Sequence, residues 1–211
     1  MENMLLAGSA EPHEKPTGLE EVKLVSAAQK GDLEAFNQLV LRYQDRIFSL
    51  TLRMLRNVES AEDTTQDTFL KAYHSLPGFR NGSFRSWLYR IATNTCYDEL
   101  RRNKRPPDLS LEFEDQAEER LLSPNDFPNY TNLPEREYER HELEQLIKRA
   151  LDQLDADQRT VIVLVDLQDL DYLEAAQILS IPIGTVKSRL ARARLRLRHL
   201  LTTDGLSSAR L

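Results

Sequence analysis

The chain has 211 residues, 40% of them hydrophobic and 29% charged, a net charge of -6 and one cysteine. That size suits one large or two small soluble domains, and the lone Cys96 excludes an internal disulfide or a cysteine-rich metal site. Seven glycines and nine prolines are too few for a loop-rich β fold, and no 18-residue apolar run predicts a membrane span.

Residues 1–18, rich in Glu, Pro and Gly, read as a disordered tail. They lack the basic and apolar regions of a signal peptide, so a cytoplasmic protein is expected. A helical pattern starts at Leu19, with Gly31 as its C-cap and Asp32 as the N-cap of the next helix. Phe36, Leu39, Val40, Tyr43, Ile47, Leu50, Met54 and Leu55 recur at three- and four-residue intervals and give that helix one apolar face. Ser60 with Asp63 resembles a capping box opening a third helix, which stops at Pro77-Gly78. After the loop Phe79-Arg80-Asn81-Gly82, Ser83 caps a fourth helix carrying Trp87, Leu88, Ile91, Ala92, Thr95 and Leu100 on one side. Pro106-Pro107 close it off.

Residues 103–134 combine weak periodicity, prolines and many carboxylates. A structureless stretch of that length inside one compact domain is improbable, so it reads as a flexible acidic linker between two domains, 19–102 and 135–201. In the second, Leu143, Leu146, Ile147, Ala150, Leu151 and Leu154 form a helical stripe, and Asp157 caps the run Val161–Val165. Asp171 caps a short helix, Tyr172–Leu179, and the turn Ser180-Ile181-Pro182-Ile183 leads into a last helix, Gly184–Leu201, with 202–211 as a tail. No segment alternates as a strand does, so an all-α fold is predicted.

The short helix, tight turn and long basic helix of Asp171–Leu201 form a helix-turn-helix pattern. Val186, Leu190, Ala193, Leu197 and Leu200 share one face, and Lys187–His199 holds no carboxylate. A solvated helix face usually mixes signs to form i,i+4 pairs, and this one does not. Over a Debye length of roughly 10 Å it can hold phosphate while the acidic remainder repels it. Asp63, Gln66 and Asp67 line up on one side of the third helix, by themselves no more than an exposed polar face.

Pro182 followed by Gly184-Thr185-Val186-Lys187-Ser188-Arg189 and Arg192-Ala193-Arg194 resembles the helix-turn-helix of extracytoplasmic-function sigma factors in the sigma-70 family. Ala61–Tyr73 resembles the polymerase-binding helix of that family, and Phe84–Asn94 its promoter-melting helix, in the same order and spacing. The resemblance implies a region 2 bundle and a region 4 helix-turn-helix domain. Asp63, Gln66 and Asp67 would meet the clamp helices of the polymerase β′ subunit, and the β flap would be a further contact. Phe79, Arg90, Asn94, Arg101 and Arg102 would handle the single −10 strand, with one base flipped into a pocket at Phe79 and Asn94. Tyr172, Thr185, Lys187, Ser188, Arg189 and Arg192 would meet the −35 duplex. The implied partners are core RNA polymerase, promoter DNA and an anti-sigma factor, with a monomer in the holoenzyme and no membrane insertion. The loop Arg80–Phe84 departs from the family by about one residue, and Asp169–Ala176 departs at most polar positions of its helix.

An enzyme is not expected. The sequence has no Gly-rich phosphate loop and no G-x-S-x-G elbow, and His13, His74, His141 and His199 lack partners at metal spacing, so no cofactor or metal is implied. Two non-enzymatic readings compete: a stand-alone helix-turn-helix regulator, and a sigma mimic that only sequesters partners. The first would bind duplex operators as a dimer. The second could dispense with the basic helix.

Overall fold

The computed structural model describes residues 18–80, 82–103 and 145–208, with side chains in the last stretch through Thr202. The expected tail before Gly18, the acidic linker, Asn81 and the start of the second domain at Glu135 lie outside the described residues. Among those described every regular element is helical, as the absence of period-two patterning predicts. The helices are α1 (Gly18–Gln29), α2 (Leu33–Leu55), α3 (Val58–Ser75), α4 (Phe84–Arg102), α5 (145–152), α6 (Ala156–Ile162), α7 (Tyr172–Leu179) and α8 (Ile183–Ser208).

Local chemistry sets most boundaries. Gly31 ends the first turn region at φ +94°, where a side chain would be strained. The Asp32 carboxylate accepts from the Ala35 N–H at 3.0 Å, and Ser83 Oγ accepts from the Ser86 N–H at 3.2 Å. Two expected caps are displaced. Asn57, not Ser60, caps α3, its side chain accepting the Ser60 N–H at 2.8 Å. Arg56 adopts φ 67° directly before it, so the chain turns there and leaves two residues between α2 and α3. Asp155, not Asp157, caps α6 through the Gln158 N–H at 2.8 Å, because Asp155 holds the extended backbone a cap needs. The last helix runs to Ser208 rather than Leu201, with the Thr202 hydroxyl bonded back to the Arg198 carbonyl.

Helices α1–α4 pack into one unit around Leu39, Tyr43, Ile47, Leu50, Met54, Leu88, Tyr89, Ala92 and Cys96, all 2% exposed or less. The Thr51 hydroxyl, itself fully buried, donates to the Ala61 carbonyl and fastens α2 to α3. A second core forms between α5, α6, α7 and α8 from Leu151, Leu154, Val161, Ile162, Ala175, Val186, Leu190 and Ala193. The two units do not stand apart: α7 lies against α4 and α6 against α2. Val163, Leu164, Leu170 and Ile178 of the second unit are buried in the core of the first. The run expected as plain helix up to Val165 becomes a π-helical turn, Val163–Leu167, at this contact.

Burial pushes the Cys96 thiol up to about 12, so almost no thiolate forms near neutral pH. Ellman's reagent is expected to leave the native chain untouched at pH 8 and to titrate one thiol after denaturation. Rapid reaction of the native protein would show that α4 opens locally.

Candidate nucleic-acid interface

The helix-turn-helix is assembled by local bonds. Asp171 accepts from the Leu173 and Glu174 N–H groups at 2.8 Å, and Glu174 returns a bond to the Asp171 N–H at 3.1 Å, completing a capping box. Ser180 turns the chain at φ 54°, and the Pro182 carbonyl accepts from the Thr185 and Val186 N–H groups to start α8. Val186, Leu190 and Ala193 then face the core at 2% exposure or less, with Leu197 half-buried and Leu200 buried beside them. This leaves Lys187, Ser188, Arg192, Arg196 and Arg198 exposed along the opposite side, with Thr185 half-buried at the helix start. Tyr172 is exposed on the neighbouring α7.

Two of the arginines are already engaged. Arg189 meets Asp157 at 2.6 Å, and Arg194 grips Asp166 with two bonds of 2.5 and 3.0 Å. The hydrogen bonds that Arg194 donates to the Asp166 carboxylate raise its pKa further above the usual arginine range. The expected −35 residue Arg189 is therefore half-buried in an ion pair, whereas Arg192 stands exposed at the rim of a groove shared with Asp155 and Asp157.

On α4 and the loop before it, three aromatic rings cluster. Phe79 lies 5.0 Å from Trp87 and 6.1 Å from Phe84, and Phe84 lies 5.5 Å from Trp87. The Gln29 side-chain amide donates to the Phe79 carbonyl at 2.6 Å and pins the loop, while Gly82 takes φ +122° to turn it into the Ser83 cap. Phe79, Trp87, Arg80 and Arg90 line an open groove of about 390 Å³, so planar rings and positive charge occur side by side there. Unpaired bases demand that combination. Asn94 is exposed further along α4 but is not among the groove-lining residues, so the structure does not bring it together with Phe79. Trp87 is half-buried, packing on the core with one side and lining the groove with the other. Arg80 was missed in the sequence, although its position beside Phe79 in a glycine-containing loop was the available signal. Arg101 and Arg102 are exposed but pair with Asp98 at 3.6 Å and Glu99 at 3.0 Å, which dilutes their positive field.

Asp63, Gln66 and Asp67 are all exposed on α3, on one wall of a groove whose other wall holds Asp98, Glu99 and Arg102. The three expected together are together, and Arg102 joins them.

The family description Sigma-70 region 2 matches residues 39–106, and Sigma-70, region 4 matches residues 144–197. The chain is 40% identical over 180 residues to the ECF RNA polymerase sigma factor SigW of Bacillus subtilis, covering 85% of this chain and 95% of that protein. It is 38% identical over 177 residues to the RNA polymerase sigma-H factor of Pseudomonas aeruginosa, covering 83% and 90%. Among solved structures it resembles CnrH in complex with the cytosolic domain of CnrY, with TM-score 0.64, 28% identity, 88% of this chain and 99% of that one. It also resembles the sigma factor RpoE in complex with the anti-sigma factor NepR from Bartonella quintana, with TM-score 0.61, 32% identity, 82% and 99%.

Proposed function

The chain belongs to the sigma-70 family as an extracytoplasmic-function RNA polymerase sigma factor, and from that premise we propose how its residues divide the work of promoter recognition. Residues 19–102 and 135–201 take different parts of the promoter, the acidic segment between them serving as a linker. The start of α8 enters the major groove of the −35 duplex, where Lys187, Ser188 and Arg192 reach base edges. Thr185, Arg189 and Tyr172 flank this contact. The Phe79–Trp87 groove receives a base of the melted −10 strand, with Arg90 and Asn94 along the strand and Arg101 and Arg102 at its far end. Asp63, Gln66 and Asp67 dock on the polymerase clamp.

The observation that carries this reading is the exposed basic face of α8, which leaves a helix-turn-helix turn without one carboxylate between Ile183 and Leu201. The protein acts in the cytoplasm with core polymerase, without a catalytic centre or cofactor of its own. Control by an anti-sigma factor is supported by the likeness to RpoE, which was solved with one.

The test compares two arginines in reconstituted holoenzyme. Arg192→Ala is expected to cost about 1–3 kcal/mol and to relax preference at one or two −35 positions, because a base contact is lost. Arg196→Ala, placed a turn later, is expected to weaken all sequences alike, as a phosphate contact does. Competition binding against single-base −35 variants reads both. Equal, sequence-independent losses would make α8 an electrostatic clamp and move promoter choice to the first module.

A further inference from the structure

Gln29, at the end of α1, holds the loop before α4. Its side-chain amide donates to the Leu76 carbonyl at 3.2 Å and to the Phe79 carbonyl at 2.6 Å. The two amide hydrogens therefore bracket Pro77-Gly78, a turn in which proline supplies no N–H of its own. The helix that carries Gln29 is itself fixed. Val25 and Ala28 are buried in the first core, and the buried Tyr43 donates its hydroxyl proton to Glu21. Glu20 meets Arg42 at 3.6 Å, and the Asp32 N–H bonds back to the Ala27 carbonyl at 3.2 Å. Gln29 is half-buried, so its two bonds are partly shielded from water.

Gln29 does not line the groove of Phe79, Arg80, Trp87 and Arg90, but it acts on a residue that does. Phe79 has an extended backbone, φ −67° and ψ 120°, and its ring leans on Phe84 and Trp87. Holding the carbonyl of Phe79 stops the backbone from turning there, and the ring keeps its place against Trp87. A base can stack only on a ring that is already in place, and a misplacement of about 1 Å can cost on the order of a hundredfold in rate. Helix α1 lies ahead of residues 39–106, the stretch matched by Sigma-70 region 2. The side chain that fixes the loop thus comes from outside the matched stretch.

We propose that Gln29 is a positioning residue for promoter opening. By holding the Leu76 and Phe79 carbonyls, its amide sets the Phe79 ring against Trp87 as the wall on which one unpaired base stacks. Without that donor the loop backbone turns, the ring drifts, and the base is captured less well. Duplex binding by α8 and docking of α3 on polymerase do not pass through these bonds. This inference rests on the groove being the single-strand site.

The experiment uses reconstituted holoenzyme and a promoter fragment that the unaltered holoenzyme selects from a pool randomised across the −10 element. Abasic sites, placed one at a time in the non-template strand of a pre-melted form, locate the captured base. Losing that base is expected to weaken binding by about tenfold, the scale of one stacked base. Gln29→Met has similar length and no donor. It is expected to lower the abasic penalty to about twofold or less and to slow opening of the intact duplex by about tenfold. Assembly with core polymerase and the thermal midpoint should stay unchanged. Gln29→Glu keeps the shape but, when ionised, can only accept, so the same losses are expected and either variant decides if the other misfolds. Gln29→Lys supplies donors again and should regain most of the opening rate. An abasic penalty that stays at the unaltered level in the donor-free variants overturns the proposal. So does a loss of opening that merely tracks a loss of assembly or of thermal midpoint. Phe79→Ala separates the two levels. A penalty that Phe79→Ala abolishes but Gln29→Met leaves intact sinks the positioning role alone, whereas one that Phe79→Ala leaves intact sinks the groove reading and this inference with it.

Discussion

Asp63→Arg combined with Gln66→Ala is expected to weaken assembly with core polymerase by about 30-fold or more while leaving the thermal midpoint almost unchanged. The two halves of that expectation have different origins. Both side chains are exposed on α3, and substitutions at such positions usually move stability by less than about 0.5 kcal/mol. Binding is another matter, because a charge reversal at the centre of an interface both removes a contact and adds a repulsion, and central positions carry most of the affinity. Asp67 remains one turn away and keeps the groove acidic, which prevents total loss. Native gels with a titration of core enzyme measure the first half and calorimetry the second. Undiminished assembly would mean that this face is solvated in the holoenzyme.

Arg159→Ala is expected to have the largest effect on stability, about 3 kcal/mol or more. The guanidinium is 4% exposed and donates to the carbonyls of Leu151 at 3.0 Å, Asp152 at 3.3 Å, Leu154 at 2.7 Å and Met54 at 3.2 Å. The first three lie at the end of α5 and just after it, where helical N–H donors run out; besides Arg159, the Leu151 carbonyl accepts from the Leu154 N–H at 3.1 Å and the Asp152 carbonyl from Arg56 at 3.3 Å. The fourth belongs to α2, so one side chain closes a helix end and ties the units together. Burial, with Arg56 nearby, lowers its pKa, yet arginine remains charged. Truncation strips partners from buried carbonyls, and each charge-assisted bond contributes about 1.5–3 kcal/mol. Arg159→Lys should recover less than half of the loss, since an ammonium cannot fork toward four oxygens. Guanidinium chloride unfolding monitored by circular dichroism is the measurement. A cost below about 1 kcal/mol would show that water replaces the guanidinium.

The helices and their core faces were legible because the signals are local. Asp32, Ser83 and Asp171 are capping residues followed by periodic apolar positions, and all three cap in the structure. Ser60 and Asp157, read as the caps of α3 and α6, lie two or three residues beyond Asn57 and Asp155, which hold the caps. Several capping residues compete within each stretch, and only the backbone angles, set by the turn before the helix, choose among them. The docking of the two units was not legible. Val161–Val165 is apolar all round, and such a run is buried on every side. Its sequence does not say that Val163 and Leu164 serve a different core from Val161 and Ile162. Gln168 and Arg159 look like surface residues in the sequence, and only the long-range packing reveals them as buried. At the candidate site, Phe79 and Arg90 line one groove, whereas Asn94 lies elsewhere on α4, because nothing in helical spacing fixes where a preceding loop will fold.

The pairing of Arg189 with Asp157 and of Arg194 with Asp166 changes what ionic strength reports about DNA binding. A bare arginine that meets a phosphate sets free a counterion condensed on the duplex, and each such event steepens the loss of affinity with salt. An arginine already neutralised by a carboxylate instead swaps one anion for another. The abandoned aspartate then recruits a cation from solution, offsetting the one the duplex released. Counting basic side chains on α8 therefore overstates the salt dependence by up to about two ions. A shallow slope would record the exchange of internal for external anions, and not a scarcity of phosphate contacts.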